Sequence, residues 1–97
     1  MLPDTPLLVT ENGIATADDE DRISFTTDAL RSLAAAIEAG ADVRGYVHWS
    51  LLDNFEWMLG FRPTFGLVAV DRETFSRTPK PSLAWLGEVA MRNGLAD

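Results

Sequence analysis

The sequence predicts an α/β fold built on parallel strands. Two β-favouring runs, residues 6–10 and 43–52, flank a stretch with helical periodicity. A helix of that length between two strands is most simply the crossover of a right-handed βαβ unit. Both runs also end in unusual polar or aromatic residues, so both open onto one edge of the sheet, where α/β folds bind ligands. With 97 residues the chain is long enough for one small domain, so residues 1–97 are read as a single unit.

The first strand is PLLVT, residues 6–10, with Pro6 tolerated at its start. It runs into Glu11, and Asn12-Gly13 follows as a turn signal. NGIATADDEDR reads as a loop. Its acids Asp18, Asp19, Glu20 and Asp21 read as a solvated turn, because a calcium loop needs spaced ligands and a later bidentate Glu. In SFTTDALRSLAAAIEAG, the residues Leu30, Leu33, Ala34 and Ile37 form one apolar helical stripe. Ser24, Thr26 and Thr27 are candidate N-caps, and Gly40 is a natural stop.

VRGYVHWSLL is the second strand, where Gly45 signals a close backbone approach. LDNFEWMLGFRPT reads as a long aromatic loop, FGLVAV as a further short strand and SRTPKPS as a basic connector. The last helix, SLAWLGEVAMRNG, carries Leu83, Leu86, Val89 and Ala90 on its inner face and Gly94 just past its end.

Composition narrows the function classes. The 46% hydrophobic content supports a packed core. A net charge of −7 with scattered basic residues argues against nucleic acid, which requires clustered Lys and Arg. The absence of cysteine excludes disulfides and thiolate metal sites, and a single histidine, His48, argues against zinc. Apolar runs fall far short of the roughly 18–20 residues that span a bilayer. The N-terminus lacks the basic and apolar regions of a signal peptide. The expectation is a cytoplasmic protein with no cofactor, metal or membrane partner.

Two segments carry candidate chemistry. Glu11 reads either as a capping or salt-bridged loop carboxylate, or as a nucleophile or general acid/base in a shielded pocket. WSLLDNFEW, residues 49–57, places two tryptophans, a phenylalanine and two acids together. It reads either as an apolar loop clamped onto the sheet or as a sugar site. In a sugar site, indole faces pack on pyranose C–H groups and carboxylates accept paired hydroxyls. His48, Tyr46, Asp53, Asn54 and Trp85 read as structural: alternation along the strand places His48 and Tyr46 on the face opposite Trp49.

Taken together, TENG, GYVHWSLLDNFEW, FGLVAVD and TPKPS, in that order and spacing, resemble the C-terminal part of the family 1 glycoside hydrolases, the β-glucosidases and their relatives. The resemblance runs from Leu7 to about Gly94. It implies the C-terminal portion, about strands 7–8 and helices 7–8, of a (β/α)8 TIM barrel. It also implies hydrolysis of β-glycosides, glucosides foremost, through a covalent glycosyl-enzyme. On this resemblance Glu11 would be the nucleophile, and Asn12 would support it from the adjacent turn as part of the substrate-binding set. Trp49 would lie under the sugar, Glu56 would hold its 4- and 6-hydroxyls, Trp57 its 3-hydroxyl, and Phe65 would wall the same pocket. The segment MLGFRPT departs from the GYSKR-like pattern common before the Phe-Gly, which bears on glycone preference.

A retaining glycosidase needs a second carboxylate about 5–5.5 Å from the first. The family carries it in a TxNEP-like motif on an earlier strand, and no NEP occurs in this chain. A whole barrel takes about 250 residues. The expectation is a chain inactive alone, partnered by the missing N-terminal barrel portion or self-associating through open strand edges. A non-catalytic sugar-binding or interaction fragment is the alternative.

Overall fold

The computed structural model describes residues 4–54 and 64–96. Six elements follow one another: β1 (Leu7–Asn12), α1 (Asp19–Glu38), β2 (Val43–His48), β3 (Val68–Val70), β4 (Arg77–Pro79) and α2 (Pro81–Arg92). β1 and β2 pair in parallel with α1 as the crossover, as the strand–helix–strand order predicts. β3 and β4 form an antiparallel pair, and a parallel bridge between Leu52 and Val68 joins the end of the first sheet to the second.

Several boundaries differ from the sequence reading, among them that β1 runs on through Asn12 and β3 begins only at Val68. α1 starts at Asp19, well ahead of Ser24, Thr26 and Thr27. The N-cap is Asp18, whose carboxylate accepts the Glu20 N–H at 3.0 Å. Asp19, Glu20 and Asp21 fill the first turn, where the positive end of the helix dipole favours acids. The acidic run is therefore the start of the helix and not a free turn.

β2 stops at His48, short of Leu52. The Trp49–Ser50 peptide bond is cis, and the Trp49 N–H donates across to Asn12 O at 2.8 Å. The connector SRTPKPS contains β4, whose single neighbour among the described residues is β3. Pro79 tolerates that position because a strand with one neighbour has a side that needs no donor.

The two faces of the β1–β2 pair differ. Val9, Asn12 and Tyr46 line a cavity of about 290 Å³ together with Ala29, Ser32, Leu33 and Ala36 of α1. Tyr46 and His48 also border a cavity of about 510 Å³ closed by Leu30 and Leu33 of α1 and by Leu86 and Val89 of α2. On the other face Leu8 is 58% and Val47 51% exposed. Leu67 and Val68 are the buried apolar residues among the described ones. They lie at the start of β3, where the Leu67 and Val68 N–H groups donate to Leu51 O. Among the described residues no helix is long and apolar enough to cross a membrane.

A polar cluster joins the helix layer to the loops. Arg22 is 1% exposed. Its guanidinium bonds Asp19 Oδ1 at 2.6 Å, Thr16 O at 2.8 Å and Thr64 O. Asp19 in turn accepts the Ser82 N–H and Oγ–H at 2.7 and 2.8 Å, so the first turns of α1 and α2 share one carboxylate. Burial pushes the Asp19 carboxyl up, but the bonds from Ser82 and Arg22 outweigh it and hold the group below its usual value.

Candidate active site

The site begins with an irregularity in β1. Val9 pairs with Tyr46 and Asn12 with His48, so Thr10 and Glu11 together stand opposite Val47 alone. In an even strand Glu11 would share the face of Val9, which looks toward α1 across their shared cavity. The extra residue breaks that alternation, as a β-bulge does. Val9 and Asn12 take the helix side, while Thr10 and Glu11 are both exposed. The bulge thus frees the carboxylate from the helix layer at the C-terminal end of a parallel strand.

The turn beyond Glu11 is pressed onto the end of β2. A Cβ at Gly13 would collide with the Trp49 carbonyl oxygen, so glycine is required there by close approach. The Trp49 N–H to Asn12 O bond lies beside this contact. Asn12 is half-buried, and its Oδ1 accepts the Tyr46 hydroxyl at 2.9 Å. Burial pushes the Tyr46 phenol above its usual value, which keeps it a donor.

Trp49 and Phe65 converge on the same edge. Both are half-buried. Phe65 O accepts the Ser50 N–H at 3.3 Å and lies 3.3 Å from His48 Nε2. His48 shares the helix side with Tyr46, as strand alternation predicts. Burial holds the His48 imidazole below its usual value, and the nearby Arg22 charge adds to this; the Phe65 carbonyl and Asp19 oppose it.

Glu56 and Trp57, the two remaining sugar-binding candidates, lie outside the described residues. The segment holding them is flanked by a described clamp. Asp53 Oδ1 accepts the Gly66 N–H at 2.8 Å and the Lys80 ammonium at 2.9 Å. Lys80 also donates to Gly66 O at 2.9 Å. Asp53 thus serves the loop's own backbone, as its structural reading has it. Lys80 received no role in the sequence analysis; its place between two prolines ahead of the last helix was the signal available. The structure gathers Glu11, Asn12, Trp49 and Phe65 at one sheet edge. Among the described residues no cluster of acids and histidine could hold a metal ion.

Glu11 is thus an exposed carboxylate at the C-terminal end of a parallel strand, the edge where α/β folds bind ligands. The profile of glycosyl hydrolase family 1 matches residues 2–95. Thermostable β-glucosidase B of Thermobispora bispora is 46% identical over 101 residues, covering 96% of this chain and 21% of that protein. Among solved structures, a β-glycosidase from Pyrococcus horikoshii superposes with a TM-score of 0.93 at 52% identity, over 95% of this chain and 22% of that one. The family 1 β-glucosidase of Thermotoga maritima in complex with isofagomine lactam gives 0.91 at 38% identity, over 94% and 23%. These structures are (β/α)8 barrels, so the chain has the fold of a portion of one. It spans about a fifth of the length of the relatives it matches.

Proposed function

The chain belongs to glycosyl hydrolase family 1, and from that premise we propose that it supplies the nucleophile and part of the sugar-binding wall of a retaining β-glycosidase. The observation that carries the reading is Glu11, turned away from the helix side by a bulge and followed by the turn in which Gly13 abuts the Trp49 carbonyl.

In this reading a Glu11 oxygen attacks the anomeric carbon as the bond to the leaving oxygen breaks. The glycosyl-enzyme ester is then hydrolysed by water. Protonation of the leaving oxygen, and later activation of water, needs a second carboxylate about 5–5.5 Å away. Asp19 is engaged by Ser82 and Arg22, and Asp53 by Gly66 and Lys80, so neither is free for that work. The acid/base comes from the rest of a barrel in which β1 and β2 are strands 7 and 8. Trp49, Glu56, Trp57 and Phe65 receive the glycone, with Asn12 steadying Glu11. The names of the relatives favour a β-glucoside.

The test is hydrolysis of an aryl β-glucoside by the chain alone and by the chain combined with the remaining segment of a family 1 barrel. Turnover is expected in the combination only. Glu11→Gln lowers it by about three orders of magnitude or more, since removing a covalent nucleophile removes the whole pathway. Turnover by the chain alone that survives Glu11→Gln overturns the reading.

A further inference from the structure

The bulge that aims Glu11 has a holding device that no role above accounts for. Asn12 is tied on both its backbone and its side chain. Its carbonyl accepts from Trp49, and its Oδ1 accepts the Tyr46 hydroxyl at 2.9 Å. Tyr46 is itself the ladder partner of Val9, on the other side of the irregularity. One residue of β2 therefore grips β1 before the extra residue through the ladder and after it through the side chain. Slipping β1 back to an even register would move Asn12 off the helix side and break the bond to Tyr46. The same slip would return Glu11 to the face of Val9, against α1.

We propose that Tyr46 is a positioning residue for Glu11: its hydroxyl, bonded to the Asn12 side chain, pins the bulge that turns the carboxylate away from the helix layer. The inference rests on the glycosidase reading for its catalytic consequence and on geometry alone for its structural one.

Two measurements separate these. In ¹H–¹⁵N spectra of the full chain, Tyr46→Phe is expected to shift the Asn12 side-chain amide resonances. It is also expected to speed hydrogen exchange at the Trp49 amide severalfold, with α2 amides unchanged. Unchanged Asn12 resonances overturn the proposal. In the active combination with the rest of the barrel, Tyr46→Phe is expected to lower kcat per titrated active site about tenfold with KM within twofold. The Tyr46→Phe/Asn12→Ala double variant is expected to match Asn12→Ala, because both act through one bond. Full kcat per titrated site, or additive losses, overturns it. If the wild-type combination shows no turnover, the glycosidase reading fails while the spectra still decide the role of Tyr46.

Discussion

Lys80 and Asp53, twenty-seven residues apart, form an ion pair at 2.9 Å with side chains only 16% and 18% exposed. The same ammonium bonds Gly66 O, and the same carboxylate accepts the Gly66 N–H. The pair therefore closes the two ends of the aromatic segment onto the start of α2. Lys80→Met keeps the aliphatic stem and leaves a shielded carboxylate without its counter-charge. The expected loss is about 1–3 kcal/mol of unfolding free energy, read from urea titration. An unchanged midpoint would show that the clamp is dispensable.

Arg22 holds three acceptors at once: Asp19 Oδ1, Thr16 O and Thr64 O. Replacing it with Leu takes the counter-charge from a partly buried carboxylate, which keeps only Ser82, and removes a donor from two carbonyls. A loss of about 3–5 kcal/mol is expected, enough to abolish the cooperative thermal transition of a small domain. Arg22→Lys is expected to recover little, because one ammonium lacks the planar fork that spans those acceptors.

Stability is expected to fall with acid in two steps. The folded imidazole of His48 lies below its ordinary value, so the unfolded chain takes up that proton first. The contribution is complete above an unfolded value of about 6.5 and is lost as pH falls through it. Asp19 has a lowered carboxyl, so its contribution is present above the ordinary value of 3.8 and is lost below that. Denaturant midpoints should therefore decline over an interval that opens near the unfolded value, about 6.5, and runs down toward the lowered folded one. His48→Gln should flatten that interval while leaving the lower one in place.

The open face of the sheet predicts association. Leu8 and Val47 are 58% and 51% exposed on adjacent parallel strands, each with one ladder neighbour among the described residues. Apolar, edge-bearing surfaces of this kind pair with other chains. Sedimentation of the chain alone should show a mass that rises with concentration. Leu8→Lys with Val47→Lys should suppress the rise while the thermal midpoint changes less. A monomer at all concentrations would count against the open face.

The parallel β1–β2 pair was legible in the sequence because a crossover helix with a clear apolar stripe separates two β-favouring runs. The start of α1 was not, since Asp18 to Asp21 contribute capping and dipole stabilisation and no apolar periodicity. Arg22 was hidden for a related reason: a charged residue reads as surface until its acceptors, one of them forty-two residues away, are in place. The bulge at Thr10–Glu11 leaves no trace in LLVTEN, because it is a property of pairing with β2 and not of either strand. Motif spacing made the family legible through residues whose positions only the pairing explains. β4 escaped notice as three exposed residues ending in proline.

Gly13 and Gly66 meet backbone where any Cβ would stand, against the Trp49 carbonyl and against the Leu52–Asp53 peptide. Every single-base change of a glycine codon that alters the amino acid without ending the chain adds a Cβ. Neither position therefore has a harmless neighbour in sequence space, although neither carries a chemical group. By contrast a Cβ at Gly45 would meet the tip of the Leu8 side chain, which can swing aside. Point mutation can drift through the middle of β2 and is blocked at the two contacts beside its end.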